Sequence, residues 1–263
     1  MGFSSKWLAL RAPADDRARA MDLIDAAAKL LPAEPTLCDI GAGSGATLRA
    51  LLPKLPRPHR WLLVDADEQL LSEAQSWAET SSGNGVAVET LAADLSKDPA
   101  PWGTAPSLVT ASAFFDLASP EWISQFAGAC IAAEASLLAM LTFDGVLSLA
   151  PEHPFDAAMV DAFHAHQRTD KGMGPAAGPD APAVLARSFR AAGYRVEERD
   201  TPWLLDGERD QALITELLEG WAGAATEVLR QEERTIAGWL QSRLERTERL
   251  VVGHKDQLFL PRR

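Results

Sequence analysis

Three glycines alternate in the run Cys38-Asp39-Ile40-Gly41-Ala42-Gly43-Ser44-Gly45-Ala46. Glycines so placed let the backbone turn sharply and let a ligand approach the main chain closely. The run leaves a short apolar stretch and enters a helical one, so a ligand explains it better than a plain strand-to-helix turn. Two ligand classes fit. Read as Gly41-x-Gly43-x-x-Ala46, it matches a dinucleotide fingerprint with alanine in the last slot. Read as Asp39-x-Gly41-x-Gly43-x-Gly45, it sets an acid two residues before the first glycine, where a pyrophosphate has no use for it. Two further acids follow. Asp65 lies 20 residues beyond Gly45, at the end of an apolar run, where a carboxylate can accept both hydroxyls of a ribose. Asp94 closes the run 86–94. Any one of these acids could be a helix cap or a solvated loop residue. Three at successive strand ends point to one ligand lying across the carboxyl edge of a sheet.

The second spacing resembles motif I of the class I S-adenosylmethionine-dependent methyltransferases. That resemblance implies that Asp39 accepts hydrogen bonds, directly or through water, near the cationic amino group of the methionine part. It places Gly41, Ala42, Gly43 and Gly45 along the cofactor. Asp65 and its neighbour Ala66 would meet the ribose, and Asp94, with Ala93 and Leu95, the adenine and its amino group. The segment TASAFFDL (110–117) resembles motif IV, so Ala111 and Ser112 would line the methionine part while Phe114 or Phe115 faces cofactor or substrate. Asp116 sits at the mouth, as a substrate group or as the cap of the next turn.

These residues need elements to hold them. Pro13, Asp15 and Asp16 suit a first helical turn, and Met21, Ile24, Ala28 and Leu31 recur at helical spacing, which predicts an opening helix over 13–31. Strands are predicted at 36–40, 60–65, 86–94, 107–112 and 135–143, with helices at 46–52, 68–79 and 120–133 between them. That alternation calls for a mostly parallel sheet covered on both faces. A helix at 156–167, a Gly/Pro-rich loop at 171–180, a helix at 181–192 and a strand at 194–200 follow. Helical stretches at 208–222 and 225–247 lead to a closing strand, or pair of short strands, at 249–260. The expectation is one α/β domain over 1–263: a Rossmann-like three-layer sandwich whose seven-stranded sheet, by the resemblance, has the order 3-2-1-4-5-7-6. Residues 1–31 would form a helical lid, and 144–180 with 206–247 a helical cap over the substrate.

A sulfonium leaves as a neutral thioether, so catalysis needs in-line positioning, and a base when the acceptor is a hydroxyl or amine. Candidates lie outside the strand core. The stretch FHAHQRTDKG (163–172) crowds His164, His166, Arg168 and Lys171 beside the Gly/Pro-rich loop, with His164 and Arg168 spaced i, i+4. A neutral histidine is a fitting base near pH 7. The same residues also read as a solvated helix end with its cations at the negative pole. Arg11 is a surface residue unless its helix folds over the pocket, where it would meet the cofactor carboxylate. His254, Lys255 and Asp256 read most simply as a hairpin turn, and no residue set predicts a bound metal. Trp221 and Trp239 are expected to stitch the cap helices together.

Composition bounds the rest. The 263 residues carry 47% apolar and 24% charged side chains, an ordinary globular balance. A formal charge of −12 disfavours nucleic acid and anionic lipid as partners. Two cysteines exclude a disulfide framework, and no apolar stretch is long enough to span a bilayer, so a cytoplasmic setting is expected. The expected function is methyl transfer from S-adenosylmethionine to an O or N atom of a small-molecule acceptor. An NAD-dependent oxidoreductase and a cofactor-binding partner subunit without chemistry stand as alternatives. Oligomeric state is open, a homodimer being one option.

Overall fold

The computed structural model describes residues 4–262; residues 1–3 of the expected lid lie outside them. Five strands in chain order build the parallel part of the sheet: β1 (Thr36–Ile40), β2 (His59–Asp65), β3 (Val86–Ala92), β4 (Leu108–Ser112) and β5 (Ser136–Ala150). β6 (Arg195–Asp200), β7 (Trp203–Asp206) and β8 (Arg249–Leu260) complete it. The order is β3-β2-β1-β4-β5-β8-β6, and β7 pairs with the first half of β8. β8 runs antiparallel to β5, β6 and β7, and takes the place expected for a seventh strand. The sheet has eight strands rather than seven because β7 is a separate strand.

Neighbouring residues send their side chains to opposite faces, which separates two cores. Leu37, Leu63, Leu108 and Leu138 pack under α2 (Met21–Leu30), α3 (Ala46–Leu51) and α4 (Glu68–Ser81). Cys38, Val64, Val109 and Leu137 pack under α5 (Pro120–Ala132) and α7 (Ala181–Ala191). This makes the three-layer sandwich. A third core forms the cap. It gathers α1 (Ser5–Ala18), α6 (Asp156–Gln167), α8 (Gln211–Val228) and α9 (Glu233–Arg246) against β7 and the outer ends of β5 and β8. Trp221 and Trp239 are buried in it, as expected. The buried guanidinium of Arg243 and the indole Nε1 of Trp239 both donate to Asp156, which ties α9 to α6. Among the described residues no helix is long and apolar enough to cross a membrane.

Four expectations need correction. The opening helix starts at Ser5, not Pro13: the Ser4 hydroxyl caps it by accepting from the Trp7 N–H, and Pro13 sits inside α1. The helix stops at Ala18 and α2 begins at Met21, because the Ala20 N–H between them donates to the buried Asp256 carboxylate at 2.8 Å. β5 continues past Phe143 to Ala150 through an irregularity at Asp144–Gly145. There the Asp144 carboxylate accepts the Val146 N–H and Gly145 has φ +90°. His254, Lys255 and Asp256 are not a turn; they lie mid-strand in β8. Asp256, fully buried, accepts from Leu141 N–H, Ala20 N–H and the Thr201 hydroxyl, and so pins a second irregularity of β5, between Ala139 and Thr142, to the joint between α1 and α2.

Candidate functional site

The carboxyl ends of β1, β2, β3 and β4 open on one cavity of about 600 Å³. Its floor is the glycine turn, with Gly41, Ala42, Gly43 and Ser44 in the lining. Gly41 has φ +63°, and a Cβ there would stand 2.5 Å from the ring of Phe114. Gly43 has φ +50°, and a Cβ would stand 3.3 Å from Leu8 of α1. The turn thus brings bare backbone to a ligand-sized space. Asp65 lines the cavity beside it: Oδ2 accepts the Gly43 N–H at 2.8 Å and Oδ1 the Asp67 N–H at 3.0 Å. Each oxygen keeps a lone pair for a hydroxyl donor. Ala66, Ala93, Asp94 and Leu95 also line it. Asp94 accepts from the Ser96 hydroxyl and N–H and pairs with Lys97, which holds its carboxyl down at about 2. From β4 come Ser112, Ala113 and Phe114.

Asp39 lies beneath this floor rather than in the lining. Its Oδ1 accepts from the Thr110 hydroxyl at 2.6 Å, and its Oδ2 is buried with no hydrogen-bond partner. Burial pushes the carboxyl up to about 7, offset in part by the hydroxyls of Thr110 and Thr47 and by the charge of Arg19. Gly45 and Ala111 also miss the cavity. Gly45, at φ +84°, precedes α3 and gives room to α4, since a Cβ would meet Ala74 at 3.1 Å. Ala111 is core.

The roof is α1. Ser5, Leu8, Ala9, Arg11, Ala12 and Asp15 face inward, and the Ser5 hydroxyl bonds Glu73 of α4 at 2.7 Å, closing one side. Arg11 is not on the surface. It is locked on Asp15 through Nε and Nη2, both at 3.0 Å, with its guanidinium 4.8 Å over the Trp203 ring. Lys171, Gly172 and Met173 of the Gly/Pro-rich loop form the opposite wall.

The acceptor candidates divide. Lys171 lines the cavity; burial lowers its ammonium pKa, and Nζ stands 3.4 Å from His166 Nδ1. Phe114 lines it, whereas Phe115 is core at 1% exposure. His164 does not face the cavity: its Nε2 pairs with the Gly145 carbonyl at 2.9 Å. His166 stands behind Lys171, with Nε2 3.3 Å from Glu227. Arg168 turns outward to Asp180. Asp116 follows β4 in a tight turn next to the lining residue Leu117. Its Oδ1 is buried without a partner, and burial pushes the carboxyl up to about 6, against backbone N–H contacts and the charge of Arg11.

The roof residues Ser5, Leu8, Ala12 and Asp15 fall within the helical lid expected over 1–31, but the sequence did not single them out as lining. The signal for them was the Ser4-x-x-Trp7 start, overridden by Pro13.

No protein-family model and no curated protein matches the chain. Solved structures do. A cyclopropane-fatty-acyl-phospholipid synthase-like protein from Lactobacillus casei matches with a TM-score of 0.57 and 13% identity, covering 98% of this chain and 94% of that one. The cyclopropane synthase MmaA2 from Mycobacterium tuberculosis gives 0.53 and 15% over 98% and 94%. The YcgJ protein from Bacillus subtilis gives 0.53 and 15% over 92% and 98%. At these identities what is shared is the fold, and it is the Rossmann-like sheet expected from the glycine turn and the strand-end acids.

Proposed function

We propose that this chain is an S-adenosylmethionine-dependent methyltransferase acting on an oxygen or nitrogen of a small-molecule acceptor. One observation carries the reading: the glycine turn, Asp65 and Asp94 line a single cavity along the carboxyl edge of the sheet. The residues fit the cofactor class. Asp65 has spare lone pairs where a ribose diol would lie, and Asp94 is an anionic acceptor where an adenine amino group would lie. Asp39 Oδ2 is an orphaned buried acceptor below the floor, suited to a cationic amino group. The bound cofactor would supply an electrophilic methyl on a sulfonium.

The chain's own residues do the rest. Leu8, Ala9, Ala12, Leu117 and Met173 exclude water from the acceptor half. Lys171, held by His166, offers that half a cation without a carboxylate partner among the described residues. The proton that the acceptor hydroxyl or amine releases as its new bond to carbon forms is assigned to the Asp116 carboxylate, next in the chain to the lining residue Leu117. His164 and His166 are held by Gly145 and Glu227, and this reading gives the base role to neither.

Isothermal titration tests the cofactor class. S-adenosylhomocysteine is expected to bind and NAD not, and Asp65→Ala is expected to weaken the former ~10–100-fold with the circular dichroism spectrum unchanged. Binding of NAD alone would hand the site to the oxidoreductase reading. Binding without methyl transfer to any component of a metabolite extract would favour the partner-subunit reading.

A further inference from the structure

Among the described residues, the cations that line the cavity are Arg11, Arg49 and Lys171. Arg11 is closed on Asp15 through Nε and Nη2. Arg49 donates to the Ser44 carbonyl at 2.7 Å and lies 5.4 Å over the Trp77 ring. Lys171 has neither a carboxylate nor a carbonyl partner among the described residues; its hydrogen-bond partner is His166, whose Nδ1 stands 3.4 Å from Nζ. Elsewhere Lys6, Lys54, Lys97 and Lys255 each pair with a carboxylate, and Lys29 is exposed on α2. A half-buried ammonium that faces a ligand-sized space without an anion is the exception in this chain. Burial lowers its pKa and the charge of Glu227 raises it, and folding alone gives no reason to keep it there.

The ammonium is also aimed. His166 Nε2 stands 3.3 Å from Glu227 Oε2, so a proton on that nitrogen meets the carboxylate and leaves Nδ1 a lone pair for Lys171. Of the three N–H groups of the ammonium, one goes to His166 and two remain for a ligand. α6 carries His166 and α8 carries Glu227, so Lys171 is held from the cap, whereas Asp65 and Asp94 come from the sheet. Lys171 thus belongs to the acceptor's half. Leu8, Phe114, Leu117 and Met173 supply apolar lining there, which strengthens an ion pair relative to one in water. A phosphate dianion is usually met by several cations or backbone N–H groups, and Arg11 and Arg49 are already engaged. A single ammonium with two N–H groups to give suits a carboxylate.

We propose that the methyl acceptor is a carboxylic acid: its carboxylate pairs with Lys171, which His166 positions, and its hydroxyl or amine takes the methyl. The inference rests on the methyltransferase reading and names the substrate class of that site. The carbon–sulfur bond breaks, the bond from the methyl to oxygen or nitrogen forms, and the acceptor's proton passes to the Asp116 carboxylate. Lys171 keeps its protons throughout.

The test is methyl transfer from labelled S-adenosylmethionine to hydroxybenzoates, aminobenzoates and aliphatic hydroxy acids, each run beside its primary amide, which keeps the shape and lacks the charge. Wild type is expected to favour acid over amide by ~10–100-fold in kcat/KM. Lys171→Met should bring that ratio to within about threefold of one, and Lys171→Arg should restore much of it. His166→Ala should raise KM for the acids ~3–10-fold with kcat kept, and His166→Gln, which can still accept from the ammonium, should recover most of that loss. A histidine that merely supports the fold would shift acids and amides alike, and an unchanged KM in His166→Ala would strike it from the proposal. A wild type that does not prefer the acids, or methylates none of them, overturns the proposal, and so does a preference that survives in Lys171→Met. Titration with S-adenosylhomocysteine separates the failures. A protein that binds it and rejects the acids loses only the acceptor class, whereas one that does not bind it loses the cofactor reading as well.

Discussion

Two carboxyl groups near the cavity are pushed into the neutral range, and they do different work because they face different things. Asp39 sits under the floor with its orphan oxygen turned from solvent; Asp116 lies outside the lining, next in the chain to the lining residue Leu117. With its carboxyl at about 6, Asp116 is mostly anionic at pH 7 and close enough in affinity to a proton to accept one. Asp116→Asn is expected to lower kcat ~100-fold or more while leaving S-adenosylhomocysteine affinity unchanged, and wild-type kcat should climb as pH passes through about 6. A flat profile over that range would remove Asp116 from the base role. His254 cannot stand in for it, because burial and the charge of Arg11 take its imidazole down to about 3. The types and spacings of Asp39, Asp65 and Asp94 were legible in the sequence because each lies within two residues of a strand's carboxyl end. Asp116 was legible only as one of two options. His164 and His166 lie outside the cavity lining, which the sequence does not reveal because it reports composition, not facing. The carbonyl that holds His164 belongs to Gly145, inside a strand extension that no local pattern announced.

At the scale of elements, the glycine turn shows two uses of positive φ in one motif. Gly41 and Gly43 present backbone to the cavity, whereas Gly45 starts α3 and lets α4 approach. An alanine at 45 would hold a left-handed conformation and press on Ala74 at 3.1 Å. Gly45→Ala is therefore expected to cost about 1–3 kcal/mol in urea unfolding, with ligand affinity of the folded protein unchanged. A selective loss of affinity at full stability would instead place Gly45 in the binding surface. The parallel strands β1, β2 and β4 were readable because apolar runs bounded by helices have few other homes, and β3, a half-exposed edge strand, by its place in the alternation. The elements that escaped were those shaped by distant partners. α1 runs through Pro13 because its inner face roofs the cavity and Ala14 joins the cap core. The break after it follows from Asp256, more than two hundred residues away. β7 is four residues long and exists as a strand by pairing with β8.

The whole molecule keeps several ionisable groups out of water, and their linkages partly cancel. Asp39 has a folded value near 7, above its ordinary 3.8, so the stability it contributes is present in full below pH 4 and is lost as pH rises to about 7. His254 works in the opposite sense. Its value is depressed from 6.5 to about 3, so the stability it contributes is present in full above 6.5 and is lost as pH falls towards 3. Over the shared window the two slopes oppose each other, and the wild-type curve alone separates neither. A variant difference does. Asn in place of Asp39 can still accept from Thr110 and cannot ionise, so Asp39→Asn should match wild type near pH 4. It should gain on wild type steadily to about pH 7, by a few kcal/mol in all, and hold that margin above. Urea unfolding of both proteins at pH 4.5, 6 and 7.5 measures it. Saturating S-adenosylhomocysteine should then narrow the margin, because a cation beside Asp39 favours the ionised form only where there is a carboxyl to ionise. A margin that shrinks with rising pH in the free protein would mean that Asp39 is already ionised beneath the floor. The orphaned oxygen would then have a partner other than the ligand.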